Sequence, residues 1–186
     1  MRTPDTLAPA RVHEAQGPGR RAFALFQALR HPGPLVWVLP AHAPETPMLP
    51  GLPPGVGARL MLIRPAGEAD LLWATEESLR SPAPALVIAE PERPLSLTAG
   101  RRLQLAAEAG RTTGLMLIRE GQGSNAAETR WHCAPLAGDS TLHRWSCIKN
   151  KKGTMANWTL DWHGATAAFD LVSAAGERCE PAAPPR

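Results

Sequence analysis

The feature that most constrains this chain is a set of four short apolar runs, each closed off by proline, glycine or charge. They are "PLVWVL" (34–39), "RLMLIR" (59–64), "PALVIAE" (84–90) and "TTGLMLIRE" (112–120). They are too short for ordinary helices and lack the polar alternation of a half-exposed strand, as expected of strands covered on both faces. Helical patterns separate them. Arg20 to Leu29 places Phe23, Phe26 and Leu29 with Ala22 and Leu25 on one side. Glu68 to Leu79 sets Ala69, Leu72, Trp73 and Leu79 on one face. Ala99 to Ala109 is rich in helix formers, with Thr98 as the expected N-cap and Gly110 as the expected stop. Strands alternating with helices predict an α/β fold with a mainly parallel, buried sheet flanked by helices.

After Glu120 the pattern changes. "AETRWHCAPL", "HRWSCIKN", "NWTLDW" and "AAFDLV" read as short strands separated by glycine-bearing turns, and Trp158, Leu160 and Trp162 alternate with polar residues. The chain is thus expected to end in an antiparallel β-meander. Its 186 residues suit one domain, placed at 12–173 between a flexible N-terminus (1–11) and a disordered proline-rich tail (174–186). No apolar run approaches the ~20 residues of a membrane span, and "MRTPDTLAPARVHEAQGPGRR" lacks the apolar core of a signal peptide. The expectation is a cytoplasmic protein with no membrane contact. Cys133, Cys147 and Cys179 are too scattered for a disulfide framework or a zinc site, and the six histidines show no metal spacing. Free thiols and no metal are expected. A net charge of +3 permits contact with nucleic acid or an acidic partner and argues for neither.

The one stretch that invites phosphate chemistry is "VHEAQGPGRRAFALF" (12–26). A phosphate loop needs G-x-x-x-x-G-K-[ST], whose backbone N–H groups cradle phosphate while lysine and hydroxyl serve phosphate and magnesium. Here Gly17-Pro18-Gly19 is too short, Arg20 and Arg21 stand near the lysine's place, and Ala22 offers no hydroxyl. The third apolar run ends in Glu90 where a magnesium-binding aspartate would be expected. There is no G-x-S-x-G elbow, and His132 and Cys133, as strand neighbours, point to opposite faces. No catalytic residue and no cofactor are predicted. A basic hairpin, "HRWSCIKNKKG" (143–153), remains. Alternation sets Trp145, Cys147, Lys149 and Lys151 on one side, and Lys149, Asn150, Lys151 and Lys152 are candidate interface or DNA-backbone contacts. Solvated lysines that keep a strand edge from aggregating explain the same residues.

The order of these pieces resembles the ImuA family, the RecA-like (sometimes labelled SulA-like) proteins of bacterial inducible mutagenesis. The carrying segments are "VHEAQGPGRRAFALFQALR", "ADLLWATEESLR", "LTAGRRLQLAAEAGRTTGLMLIR", "AAETRWHCAPL" and "HRWSCIKNKKG", spanning Val12 to Trp162. The resemblance implies a degenerate RecA-type core. In RecA-type ATPases a K-N-[KR] segment lies near nucleotide at the contact between subunits, and Lys149, Asn150 and Lys151 match it. Gly17, Gly19, Arg20 and Arg21 depart from the ATPase loop. The implied role is a non-catalytic adaptor in SOS-induced mutagenic translesion DNA synthesis. It would bind an ImuB-like Y-family polymerase homologue, with an error-prone replicative-type polymerase and RecA as further partners. The alternatives are a divergent RecA-like ATPase using Arg20 or Arg21, and a single-stranded DNA-binding protein using Lys149, Lys151 and Lys152. Inhibition of cell division follows only from the SulA-like label.

Overall fold

The computed structural model describes residues 7–44, 47, 51–138, 141–163 and 168–175. The apolar runs become β2 (Leu35–Val38), β3 (Leu60–Ile63), β4 (Leu86–Ala89) and β5 (Thr113–Leu117). The polar stretch ahead of them forms β1 (Val12–Gln16). The helices are α1 (Arg20–Arg30), α2 (Glu68–Arg80) and α3 (Leu97–Gly110), and the chain continues through β6 (Thr129–Pro135), β7 (Leu142–Asn150), β8 (Asn157–His163) and β9 (Ala168–Ala175). Among the described residues these strands form one nine-stranded sheet in the order β3-β2-β4-β5-β1-β6-β7-β8-β9. Pairings from β3 across to β6 are parallel, and those from β6 to β9 are antiparallel. This is the expected α/β, RecA-like core ending in an antiparallel meander.

Alternate residues of the parallel strands feed two cores. On one face Ala15, Leu35, Trp37, Leu86, Ile88 and Leu115 pack with Phe23 and Phe26 of α1. On the other, Val36, Val38, Val87, Ala89 and Met116 pack with Leu71, Ala74 and Leu79 of α2 and Leu103, Ala106 and Ala107 of α3. The first core extends under the meander as an aromatic cluster. Phe23 stacks on Trp131 at 5.1 Å and meets Trp145 edge-on at 5.1 Å, while Trp131 lies 5.2 Å from Trp158. The tryptophans therefore hold the meander against α1. The end of α1 and the turn after it are held by Arg59, whose guanidinium donates to Ala28 O (2.6 Å), His31 O (2.6 Å) and Gly33 O (2.7 Å).

Several local expectations are corrected. The buried face of α2 is Leu71, Ala74, Thr75 and Leu79, whereas Trp73 is 63% exposed. The cap of α3 is Ser96, whose Oγ accepts from Ala99 N at 3.1 Å. Gly110 is the last helical residue and Arg111 takes the left-handed turn at φ 55°. Gly110 is needed for a different reason: a Cβ there would run into the Leu79 carbonyl, so its absence lets α3 cross the end of α2. β3 is the sheet's edge, with Met61 62% exposed. Of the segment expected to be flexible, Leu7 is packed in the first core; residues 1–6 lie outside the described residues, as do 176–186 of the expected tail and Cys179. Cys133 and Cys147 are buried thiols.

The largest departure is β1. Its sequence is polar, yet it lies between β5 and β6 with all five residues buried. Each polar side chain must then find a partner. His13 Nε2 donates to Ala8 O at 3.0 Å, because a carbonyl can only accept. Its Nδ1 then accepts from the Thr129 hydroxyl at 2.7 Å, and that oxygen accepts from Trp131 Nε1 at 2.9 Å. Burial, the dominant cause, pushes the His13 pKa down from 6.5 to about 4. His31 is lowered in the same way. The unfolded chain therefore holds a proton that the folded chain refuses between those pH values. Stability is complete above pH 6.5 and falls as the pH drops toward 4, by about 3 kcal/mol from His13 alone. Urea denaturation at stepped pH should trace this decline, and His13→Gln should flatten it.

Candidate functional site

The first group of expected site residues sits where β1 turns into α1. Gly17 has φ +86°, and a Cβ on it would lie 2.5 Å from Cys133 O of β6, so the turn is pressed onto the neighbouring strand. The Gly19 N–H, which would face a phosphate in a cradling loop, donates to Cys133 O at 2.8 Å. Arg20 turns back, with its Nη1 3.2 Å from Gly17 O. Arg21 reaches the end of β4, where its Nε and Nη2 donate to the two Glu90 oxygens at 3.1 and 2.9 Å. Glu90 also accepts from the buried Trp37 Nε1 at 2.9 Å. The two positions weighed for phosphate and magnesium thus neutralise each other. The cleft beside them, about 300 Å³, mixes Arg20, Arg21 and Arg119 with Glu90 and Glu92, and Glu92 is bonded to His42 at 2.8 Å. Carboxylates so placed oppose a phosphate anion.

The second group, Lys149 to Lys152, lies at the opposite end of the strands, beside the start of β6. Arg130 pairs with Lys149 and with Glu14, three residues before Gly17, while Asn150 pairs with Thr129. At about 3.3 Å per residue, ~10 Å or more of strand separates the groups within one chain. The expected alternation through the hairpin also fails. Trp131 pairs with Cys147 but Arg130 with Lys149, so Ile148 is an extra, bulged residue. One inserted residue reverses every side chain beyond it. Trp145 and Cys147 stay in the α1 core, whereas Lys149 points to the α3 face.

On that face the lysines meet a group that the sequence reading missed. Glu14 is fully buried; its carboxylate accepts from Ser124 N at 2.8 Å and from Arg130 Nε at 2.8 Å. Arg130 Nη2 also donates to Ser124 O at 2.9 Å. Lys149 Nζ donates to Ser124 O (3.1 Å) and Asn125 O (3.0 Å), and Lys151 Nζ to Ala126 O (2.7 Å). Desolvation first, then the nearby Arg130 and Lys151 charges, lower the Lys149 pKa, against the pull of Glu14 and Glu128. Asn150 shapes the turn, its Oδ1 accepting from Lys152 N at 3.1 Å. Lys152 projects outward, 3.9 Å from Glu128. A charged residue in the middle of a strand is the signal that could have found Glu14, since such a charge demands a partner. Its partner stands 116 residues away, so sequence could not name it.

On the α1 side of this same end of the strands lies a cavity of about 700 Å³, lined by His13, Thr129, Trp131, Asn150, Lys152 and Trp158 among others. Its histidine is already hydrogen-bonded on both nitrogens. Among the described residues no three His, Cys, Asp or Glu side chains gather as metal ligands would. No helix among them is long and apolar enough to cross a membrane.

Comparison with known proteins supplies a relative. The chain is 37% identical over 118 residues to Protein ImuA of Caulobacter vibrioides strain NA1000 / CB15N, a match over 57% of this chain and 47% of the relative. Over that stretch the chain is related to Protein ImuA. Protein ImuA of a second Caulobacter vibrioides strain, ATCC 19089 / CIP 103742 / CB 15, matches to the same extent. This chain spans about half the length of the ImuA proteins it matches. No protein-family model matches it. The family resemblance drawn from the quoted segments is thereby borne out, and in this ImuA relative the turn at Gly17–Gly19 is closed by Cys133.

Two measurements check this geometry. Glu90→Ala leaves Arg21 without its carboxylate and the buried Trp37 N–H without an acceptor. A loss of about 2 kcal/mol in chemical denaturation is expected, discounted from a fully buried pair because Arg21 is partly exposed. Lys149→Met should leave the sheet folded but free the carbonyls of Ser124 and Asn125, seen as faster amide hydrogen exchange at residues 124–127.

Proposed function

We propose that the protein is a non-catalytic adaptor in SOS-induced mutagenic translesion DNA synthesis, built on a RecA-like core and binding an ImuB-like Y-family polymerase homologue. An error-prone replicative-type polymerase and RecA are further partners in this reading, and the protein works in the cytoplasm. The observation that carries it is the Gly19 N–H given to Cys133 O. The donor that a phosphate-binding turn would aim at its ligand is spent within the chain. The Arg21–Glu90 pair supports the reading, since it occupies the positions that would otherwise serve phosphate and metal. The relationship to ImuA supplies the biological setting.

Co-expression of the full chain with an ImuB-like protein tests the adaptor role. Recovery of a complex at micromolar concentration is expected, and two folded proteins that fail to associate would count against it. The ATPase alternative makes the opposite prediction in a thermal melt. A ligand that binds only the folded state raises Tm, so millimolar ATP with magnesium should leave Tm unchanged if the adaptor reading holds. Direct DNA contact through Lys149 and Lys151 is the less favoured reading, because both ammonium groups already donate to backbone carbonyls.

A further inference from the structure

The outer face of α3 carries an apolar and cationic stripe that nothing else in the chain covers among the described residues. Leu97, Arg101 and Leu105 recur at four-residue spacing, which aligns them along one side of the helix. Leu97 is 55% exposed and Leu105 64%. Arg101 is exposed and forms no ion pair among the described residues. Beside the stripe, Ala126 and Lys151 complete a cleft of about 470 Å³ that Leu97, Arg101, Gln104 and Leu105 also line. Gln104 Oε1 accepts from Val12 N at 3.1 Å, and its Nε2 is buried without an acceptor among the described residues. On the opposite flank of α3, Trp73 borders a smaller groove of about 250 Å³ with Leu72, Arg102 and Leu103.

The charge balance of this face is one-sided. Glu108 is held by Arg11, and Glu76 by Arg80 and Arg102. These carboxylates are thus matched within the chain, while among the described residues Arg101 has no anion and Lys151 donates to the Ala126 carbonyl without an ion pair. Spare positive charge between exposed leucines calls for a ligand that is both acidic and apolar. Nucleic acid would satisfy the cations but gain nothing from Leu97 and Leu105. A peptide segment with carboxylates and large apolar side chains satisfies both.

We propose that the α3 stripe is the docking site for a short acidic segment of a partner protein, with apolar anchors on Leu97 and Leu105 and carboxylates on Arg101 and Lys151. This rests on the adaptor reading in taking a protein as what the chain holds. It also gives the hairpin lysines a place: the Glu14–Arg130–Lys149 cluster fixes the 124–126 loop, and Lys151 forms the cleft wall.

The test uses the full chain and a labelled sixteen-residue peptide, glutamate-rich with leucines at helical spacing, followed by fluorescence anisotropy. Its lysine-for-glutamate counterpart and a single-stranded oligonucleotide serve as comparisons. The acidic peptide is expected to bind at least about tenfold more tightly than the basic one. Leu105→Glu and Arg101→Glu should each weaken it about tenfold or more, with circular dichroism unchanged since both side chains face solvent. Met61→Glu, on the far edge strand, should bind as the parent does. Equal affinity for the two peptides overturns the proposal, as does unchanged affinity in the two stripe variants, or an oligonucleotide that displaces the peptide from the stripe. Capture of an ImuB-like protein by the same variants separates this site from the adaptor reading. A parent chain that captures it and a Leu105→Glu variant that captures it equally would overturn the site and leave the adaptor role standing. A parent chain that captures nothing would overturn the adaptor role, and the peptide measurement would still decide the site.

Discussion

The structure depends on one buried carboxylate. Glu14 sits in the middle of β1, and β1 sits in the middle of the sheet. An unpaired charge there would cost several kcal/mol, so the strand can occupy this place only if a cation and donors are brought to it. Arg130 and the Ser124 N–H do so. Because Arg130 belongs to β6, satisfying Glu14 also sets the register of the parallel pairing that joins the α/β half to the meander. Because Ser124 belongs to the loop after β5, the same carboxylate pulls that loop beneath α3. Lys149 and Lys151 then hold the loop's carbonyls, and the bulge at Ile148 is what turns Lys149 toward them.

This changes the meaning of the basic hairpin. In the RecA-type proteins it resembles, such a segment faces nucleotide across a subunit contact. Here two of its three lysines act on the chain's own backbone, at the end of the strands opposite the glycine turn. The glycine turn shows a similar economy. Its N–H bonds to β6, and its neighbouring arginine bonds to the β4 carboxylate. At both ends of the strands, groups that could serve a ligand instead join segments distant in sequence. A RecA-like scaffold arranged in this way needs no bound nucleotide to complete its hydrogen bonding there, which suits a role carried by surfaces.

Much of the architecture was legible in the residues. The four apolar runs, the amphipathic α1 and the alternation of Trp158 and Leu160 each follow from local pattern, since burial on one or two faces imposes a period that a short window reveals. The α2 face was misread because Trp73 looks like a core residue by type, yet α2 packs through Leu71 and Leu79. The α3 cap was misread by two residues, since Ser96 and Thr98 are equally able to accept the bond. Gly17, Gly19, Arg20, Arg21 and Lys149 to Lys152 were picked out by residue type, but the partners that define them were not.

The sequence by itself determined the fold class, the order of its elements and the lack of a standard phosphate loop, because these depend on periodicity and on residues adjacent in the chain. Only the tertiary structure decided that a polar strand lies at the centre of the sheet, that Glu14 meets Arg130, that Arg21 meets Glu90, and that Lys149 faces α3. Each of those outcomes depends on a pairing between distant segments, or on one bulged residue that reverses a strand's faces. Local sequence can flag that a buried charge needs a partner but cannot name it, because desolvation is enforced only when the partners are brought together.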